Sequence, residues 1–314
     1  MVIKKELKEQ PILVSRQLFE KLPDSEKNSE FIAIAPSTYA KDVWRRFKKN
    51  RLAFLGLGVL AIMILFAVFG PVFSPYTYDQ QDMLQRNTAP SFAHLFGTDK
   101  FGRDIFTRVA FGARISLSVG FAAAFINLII GALYGGVAGY IGGKLDMVMM
   151  RFVDILYSIP SILYVILIML YFGSNMFSVL IGICVSSWVG MARMVRGQVL
   201  TLKQQEFALA AQVLGSSKTR ILLKHLLVNS MGPIIVTMTF MVPSAIFTEA
   251  YLSFLGIGIS APMASWGTLA QDARSLIDSY PIQMMWPVCA ICITMFALNF
   301  IGDGLSEALD PKKK

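Results

Sequence analysis

Residues 41–51 read KDVWRRFKKNR, and residues 52–73, which follow directly, read LAFLGLGVLAIMILFAVFGPVF. The second stretch carries no charge. A helix crosses a hydrocarbon core of about 30 Å with roughly 20 apolar residues, because each residue adds about 1.5 Å. The sequence therefore predicts a membrane-spanning helix at 52–73. The basic stretch before it predicts an amphipathic helix at 41–51, lying at the interface with Trp44 and Phe47 facing lipid.

The rest of the chain contains further uncharged stretches of similar length. The composition is 55% hydrophobic and only 16% charged, whereas soluble domains carry about 25% charged residues. The uncharged stretch between Asp154 and Arg193 is too long for one helix, and the turn-like run FGSNM at 172–176 divides it. The chain is thus predicted to be an all-α membrane protein with six transmembrane helices, the other five near 116–140, 155–172, 176–194, 229–249 and 281–302.

The distribution of basic residues predicts the orientation of these helices. With both termini on the cytoplasmic side, 23 of the 29 Lys and Arg residues lie there and 6 lie outside, as the positive-inside rule requires. The predicted organisation is a cytoplasmic N-terminal segment (1–50), the first transmembrane helix (52–73), an extracytoplasmic loop (74–112), a five-helix membrane domain (113–303) with a cytoplasmic loop at 195–228, and a cytoplasmic tail (304–314).

Several function classes are disfavoured by what the sequence lacks. The net charge of +9 is explained by contacts with anionic lipid headgroups, so no nucleic-acid partner is expected. No G-x-x-x-x-G-K-[ST] motif occurs, and the only histidines are His94 and His225, so we expect no enzyme activity, cofactor or metal site. The polar residues within the spans are Asn127, Asn175 and Asn299, which argues against an ion-coupled carrier because such carriers need titratable groups.

The loop at 195–228 reads VRGQVLTLKQQEFALAAQVLGSSKTRILLKHLLV. It predicts a helix from Glu206 to Leu214, ended by Gly215, and a second helix over 218–228. The loop is long for a segment that only reverses the chain, and we interpret it as a docking module. Its predicted docking surface consists of Ala208, Ala210, Ala211 and Leu214. The alternative is an ordinary connecting loop.

Within this loop, Leu209-Ala210-Ala211-x-x-x-Gly215 resembles the cytoplasmic motif of the transmembrane subunits of ABC importers. In that family a short coupling helix sits in a groove of the ATPase subunit. The resemblance implies a type I ABC importer permease fold and a coupling helix containing Glu206, Ala208, Leu209, Ala210, Ala211, Leu214 and Gly215. Leu209 stands where the family has glutamate, and Val228 stands where it has proline. Glu206 lies one turn before Leu209, where it could supply a carboxylate.

Three further stretches resemble the dipeptide and oligopeptide permeases, and most closely the C-type subunit of the pair. They are FGTDKFGRD at 96–104 with GAR at 112–114, EAYLSFLGIG at 249–258 with SWG at 265–267, and NFIGDGL at 299–305 with LDP at 309–311. Together with the loop motif, they extend the resemblance over residues 41–311. The membrane domain at 113–303 accordingly resembles a type-1 ABC permease domain.

The resemblance implies a bacterial plasma membrane protein that imports peptides. The implied partners are a second homologous permease subunit, two cytosolic ATPases that bind ATP and Mg²⁺, and an extracytoplasmic peptide-binding protein, in addition to membrane lipids. Nickel or glutathione import by a similar subunit is the alternative, and an ion-coupled carrier is the alternative from another class.

Several residues near the predicted span ends carry more specific expectations. Glu249 ends an uncharged run, where a carboxylate in lipid is costly; it is interpreted either as a gate or subunit contact or as an interfacial anchor. Asp99 and Asp104 are expected to neutralise Arg103 and Arg108.

Small residues and tryptophans give two further predictions. Gly131, Gly135 and Gly139 lie one turn apart in the second span and predict close approach of another helix. Trp266 and Trp286 are predicted to lie at the membrane interface rather than to contact a ligand.

Overall fold

Helices account for the regular secondary structure of the described residues, 38–260 and 262–310 of a computed structural model, apart from an isolated bridge between Thr98 and Asp104. The described residues from 43 onward belong to one compact unit, and residues 38–42 belong to a separate one. Most of the predicted N-terminal segment and the last four residues of the tail thus lie outside the described residues. The helices are α1 (Tyr39–Lys49), α2 (Arg51–Phe73), α3 (Ile105–Ile141), α4 (Gly143–Ser158), α5 (Ser161–Phe172), α6 (Met176–Leu202), α7 (Glu206–Val213), α8 (Lys218–Arg220), α9 (Leu227–Asn229), α10 (Met231–Phe254), α11 (Trp266–Arg274) and α12 (Pro281–Leu309), with a 3₁₀ turn at Met83–Gln85 and a π-helical turn at Ile221–Leu226.

Five of these helices are each long and apolar enough to cross a membrane, namely α2, α3, α6, α10 and α12. The consecutive helices α4 and α5, which are bent by 80° relative to each other, make a sixth candidate span when they are taken together. The predicted all-α fold is therefore confirmed, and five of the six predicted spans are each a single helix in the predicted order.

The third span differs from the prediction, which placed a single helix at 155–172. Helix α4 begins at Gly143 and ends at Ser158, and α5 begins only after Ile159 and Pro160. Proline lacks a backbone N–H and disfavours helical conformation in the residue before it. Ile159 is accordingly extended, with φ −93° and ψ 126°, and the span is broken at this point.

Helix α3 begins at Ile105, well before the predicted span at 116–140, so residues 105–112 of the predicted loop are helical. The Asp104 carboxylate accepts a hydrogen bond from the Thr107 N–H at 2.8 Å and caps the helix. The basic residues that suggested a later start have local partners. Arg114, for example, donates to the Ala67 carbonyl of α2 at 2.5 Å, so its charge does not prevent it from lying in the helix.

Side-chain contacts identify which helix ends share a face of the bundle. At one end, which we call the α7 face, Asn50 donates to Glu307 at 3.0 Å and Lys203 donates to the Gly139 carbonyl at 2.8 Å. These bonds join the start of α2 to the end of α12 and the end of α6 to the end of α3. At the other end, the α11 face, Ser260 donates to the Ser174 carbonyl at 2.6 Å. An even number of crossings returns the chain to the α7 face.

Helices α3 and α6 pack against each other through the glycines of α3. A Cβ added at Gly131 would lie 2.6 Å from the Cβ of Met191, and one added at Gly139 would lie 2.8 Å from the Arg196 carbonyl oxygen. These distances are shorter than van der Waals contact, so only glycine fits. The predicted close helix approach is confirmed, and its partner is α6 of the same chain.

Helix α1 corresponds to the predicted amphipathic helix at 41–51, but its two aromatic residues differ in environment. Trp44 is exposed, as predicted, whereas Phe47 is only 4% exposed. Phe47 packs in a cluster with Ala53 of α2 and Ala308 of α12. The expectation that Phe47 faces lipid is wrong, because the small alanines at these two helix ends leave room for its ring.

Candidate functional site

Helix α7 lies in the predicted docking loop and ends in a Schellman motif. Leu214 is its C-cap, Gly215 follows with φ +76°, the Gly215 N–H donates to the Gln212 carbonyl and the Ser216 N–H donates to the Ala211 carbonyl, both at 3.0 Å. A positive φ is favourable for glycine because it lacks a Cβ. The predicted helix and its stop at Gly215 therefore agree with the observed backbone.

One side of α7 holds the helix against the rest of the protein. Ala208 is 4% exposed and Ala211 is 8% exposed, and both belong to a buried cluster with Ile221 and Leu226 of the following segment. This cluster also contains Val199 near the end of α6. The two alanines thus attach α7 to the transmembrane helices instead of forming a free surface.

The other side of α7 is exposed and largely apolar. Leu209 is 50% exposed, Val213 86% and Leu214 84%, and Glu206 and Ala210 are exposed as well. An exposed apolar patch on a short helix is typical of a protein interaction site. Val213 was missed from the sequence, although its position one turn after Leu209 places it on the same face.

The residues predicted for the coupling helix therefore fall into two groups that differ in solvent exposure. Ala208 and Ala211 point inward, whereas Glu206, Leu209, Ala210 and Leu214 are accessible. Glu206 is the first residue of α7, where a carboxylate interacts favourably with the helix dipole. A contact between these residues and an ATPase remains a prediction.

Glu249 is completely buried within α10. Its carboxylate accepts hydrogen bonds from the Ser116 hydroxyl of α3 at 2.9 Å and from the Ser253 hydroxyl at 2.8 Å. The Trp266 N–H at the start of α11 in turn donates to the Ser116 oxygen at 3.3 Å, and its indole N–H donates to the Val109 carbonyl at 3.1 Å. Glu249 therefore joins three helices inside this chain, and a gating role stays a prediction.

The prediction that Trp266 lies at the membrane interface is wrong, because its side chain is fully buried inside the protein. It follows the capping residue Ser265, whose hydroxyl accepts from the Thr268 N–H at 3.2 Å. This cap starts α11 against α3, so the indole enters the protein core. Interfacial tryptophans and buried ones cannot be told apart by position in the sequence when the following segment folds back on the bundle.

At the α11 face, a cluster of charged residues fixes the loop before α3. The Asp99 carboxylate accepts from Arg103 at 2.6 Å and from Arg108 at 3.0 Å. Asp272 of α11 accepts from the same two arginines at 2.9 Å and 3.3 Å. Burial raises the pKa of the Asp272 carboxyl, and the positive charges of Arg103 and Lys100 act in the opposite direction. The role predicted for Asp99 agrees with these contacts, whereas Asp272 was not foreseen.

Asp104 does not pair with the arginines, contrary to expectation. It caps α3 and lies 2.9 Å from the Nδ1 atom of His94. The Nε2 atom of the same imidazole lies 2.6 Å from the Gln85 side-chain oxygen. The Asp104 carboxylate is hydrogen-bonded to the first turn of α3. The two arginines form their second ion pair with Asp272 instead.

Two protein-family models match the chain. The family described as binding-protein-dependent transport system inner membrane component matches residues 127–314. The family described as the N-terminal TM domain of oligopeptide transport permease C matches residues 38–90.

Curated relatives are similar over nearly the whole chain. The oligopeptide transport system permease protein OppC of Bacillus subtilis is 47% identical over 95% of this chain and 98% of its own length. The dipeptide transport system permease protein DppC of the same organism is 49% identical over 92% and 91%. OppC of Escherichia coli K12 is 43% identical over 92% and 96%.

Among solved structures, a chain of the inward-facing MetNI methionine ABC transporter is similar, with a TM-score of 0.55 and 19% identity. The similarity covers 65% of this chain and 96% of that one, and it supports the fold alone. The family assignment itself rests on the family models and the relatives above. The chain belongs to the family of binding-protein-dependent transport system inner membrane components, the multi-pass membrane permeases of ABC importers.

Proposed function

We propose that this chain is a permease subunit that carries oligopeptides or dipeptides into a bacterial cell. The observation that carries the proposal is the identity of 43–49% with permeases named for oligopeptide and dipeptide transport, over more than nine-tenths of both chains. These relatives support a peptide substrate and give no support to the nickel or glutathione alternative.

The chain would act with other subunits, because its sequence has no phosphate-binding motif for ATP. We expect a second homologous permease, two cytosolic ATPases that bind ATP and Mg²⁺, and an extracytoplasmic peptide-binding protein. The exposed apolar side of α7 supports docking to an ATPase. Val213 and Leu214 are each more than four-fifths exposed. A partner that covers them would gain about 25 cal/mol of binding free energy for each Å² of apolar area removed from water.

The α7 face would then be the cytoplasmic one, with both termini on that side. The excess of Lys and Arg in the segments assigned to this face supports this orientation. The binding protein would approach the α11 face, which carries the loop at 74–104 and helix α11.

ATP-driven closure of the two ATPases would shift α7, and α7 would shift the membrane helices. Ala208 and Ala211 pack α7 against the π-helical turn Ile221–Leu226, and this turn leads through α9 into α10. The end of α6 is held to α3 by Lys203. A displacement of α7 can thus reach both α6 and α10 through packed contacts, which would allow the bundle to alternate between two states.

Reconstitution in liposomes with the candidate ATPases and binding protein tests the proposal. Peptide uptake is expected only with ATP and with hydrolysis-competent ATPases, and it should not change when the proton gradient is collapsed. A matched complex whose ATPases carry an inactivated catalytic site is the control. Uptake driven by an ion gradient in the absence of ATPases would contradict the proposal and favour a secondary carrier.

A further inference from the structure

A cavity of about 360 Å³ lies beside the break between α4 and α5. It is lined by residues of α3, α4, α5, α6 and α10, together with Ile159 and Pro160 of the break. This volume falls within the range of small-molecule sites, roughly 300–1,000 Å³. The bend of 80° between α4 and α5 thus lies at the cavity, because the residues of the break line it.

The polar groups in this cavity are uncharged. Among the described residues that line it, the polar side chains are amides and hydroxyls: Asn127, Tyr157, Ser161, Ser186, Ser187, Ser244 and Thr248. Asn127 and Ser244 lie near the middle of their helices, and Ser244 is exposed in the isolated chain. Polar groups at this depth are unfavourable against lipid tails. The cavity is therefore built to face water, protein or a polar solute.

Two of the residues that line the cavity each have a buried polar atom without a hydrogen-bond partner in the described structure. Asn127 is 1% exposed, yet its Oδ1 atom is unpaired, and the Ser186 hydroxyl oxygen is buried and unpaired as well. More than nine-tenths of buried polar groups in proteins are hydrogen-bonded, because a buried polar atom without a partner loses the hydrogen bond that it makes with water. An amide oxygen kept in this state is suited to accept a hydrogen bond from a transient ligand.

Two other cavities lack this combination of features. The one beside Ile126 and Phe152 is lined almost entirely by apolar side chains. The one behind α7 includes Lys203 and Lys218, but Lys203 already donates to the Gly139 carbonyl and Lys218 is exposed. Neither contains a buried polar atom left without a partner.

We propose that the cavity walled by Asn127, Ser186, Ser244 and Thr248 binds the main chain of the peptide as it crosses the membrane, with the Asn127 Oδ1 atom accepting a hydrogen bond from a peptide N–H. This inference rests on the proposed function. Amides and hydroxyls recognise a group that every peptide has, and a wall without charge neither attracts nor rejects charged side chains. The chain would thus accept peptides of different sequence at this step.

The first experiment replaces Asn127 by leucine in the assembled, reconstituted complex. Leucine has a similar volume, and the amide it replaces lacks a partner for Oδ1, so the substitution should not unfold the protein. The initial rate of peptide uptake is expected to fall about tenfold, the effect of one lost hydrogen bond of about 1.4 kcal/mol. Co-purification of the ATPases with the variant checks that the complex still assembles.

Ser178→Ala is the matched control for this variant. Ser178 lies in the same helix as Ser186, is fully buried and also has an unpaired hydroxyl, but it does not line the cavity. Its uptake rate should equal that of the unsubstituted complex. Equal rates for Asn127→Leu and the unsubstituted complex would overturn the inference.

A second experiment has a readout that a merely structural role would not change. Ser244→Asp introduces a carboxylate into the neutral wall, and uptake is measured for two tripeptides of equal length carrying one lysine or one glutamate. The ratio of the lysine peptide rate to the glutamate peptide rate should rise about tenfold or more, because the new carboxylate attracts the lysine ammonium group and repels the glutamate carboxylate. Ser244→Asn, which adds no charge, should leave the ratio as it is.

The outcomes separate this inference from the proposed function. If the unsubstituted complex takes up no peptide with ATP, the proposed function fails, and this inference fails with it. If the unsubstituted complex transports both tripeptides and Ser244→Asp leaves their ratio unchanged, the cavity is not on the peptide's path. In that case, a side chain of the partner permease filling the cavity is the favoured explanation.

Discussion

Gly135 of α3 lies directly against the backbone of Ala192 in α6: a Cβ at Gly135 would be 2.8 Å from the Ala192 carbonyl carbon and closer still to its oxygen. Backbone atoms cannot rotate away as a side chain can. The contact therefore fixes how closely the two central helices approach each other.

Gly135→Ala is expected to separate α3 from α6 and to lower the midpoint of thermal unfolding in detergent. Overpacking of this kind typically costs about 1–3 kcal/mol. Gly58→Ala in α2 is the matched control, since nothing lies within 4 Å of the added Cβ, and its midpoint should be unchanged or higher. An equal midpoint for the two variants would argue against the packing described for Gly135.

Gly215→Val should abolish uptake while leaving membrane insertion intact. No atom lies within 4 Å of the added Cβ, so the cost is confined to the positive φ of +76°, about 1–2 kcal/mol for a residue with a Cβ. That strain is sufficient to change the end of α7 but not to unfold the bundle. Uptake and co-purification of the ATPases are measured together.

Gly215→Asn serves as the control, because asparagine tolerates the left-handed conformation better than valine does. It should retain most of the uptake. If Gly215→Val bound the ATPases and transported peptide normally, the docking role of this loop would be wrong.

Leu214→Asp tests the exposed apolar side of α7. Leu214 is 84% exposed, so the charge should not affect the fold, but it would be buried without a partner beneath a docked ATPase, at a cost of several kcal/mol. Co-purification of the ATPases should be lost. Gln205→Asp adds the same charge at the exposed N-cap of α7, a position that favours aspartate, and should preserve the complex. Retention of the ATPases by Leu214→Asp would place the docking surface elsewhere.

Asp99→Asn should be more destabilising than Asp272→Asn. Asp99 is 7% exposed and lies between Arg103 and Arg108, so removal of its charge breaks buried ion pairs, with an expected cost of about 3–5 kcal/mol. For Asp272, burial raises the pKa and opposes the charged form, so the loss of its charge should cost less. Unfolding midpoints of the two variants provide the comparison, and the reverse order would contradict this account of the cluster.

The variants Glu249→Gln and Glu249→Ala distinguish a structural role of this carboxylate from a role in gating. Glutamine can still hydrogen-bond to Ser116 and Ser253, whereas alanine leaves both hydroxyls without the carboxylate at a cost of about 1–3 kcal/mol. We expect the glutamine variant to match the unsubstituted protein in thermal stability and the alanine variant to unfold at lower temperature. A glutamine variant with normal stability but impaired uptake would support a gate that requires the charge; normal uptake would argue for a structural role.

The helices and the ends of the docking helix could be predicted because they depend on local physics. The length of an uncharged run determines whether a helix can cross the membrane, and a glycine after Leu214 is enough to stop α7. The break at Pro160 also had a local signal, the proline itself, which the uncharged length of 155–172 concealed.

The partners of the charged and polar residues could not be predicted in the same way. Asp272 meets Arg103 and Arg108 only because α11 folds back onto the start of α3, and the buried Glu249 has a hydrogen-bond donor in α3 only because Ser116 lies opposite it. A sequence pattern indicates which face of one helix is polar, but it does not give the register between two helices.

What the sequence by itself determined is the order of the apolar stretches long enough to cross a membrane, the end of α7 at Gly215 and the need for close packing at Gly131, Gly135 and Gly139. The tertiary structure decided that α6 is the partner of those glycines and that Asn127 and Ser186 line one cavity. The reason is physical. Hydrophobic length, capping and glycine conformation act within a few residues, whereas a cavity or an ion pair requires side chains from distant helices to be brought within a few ångströms.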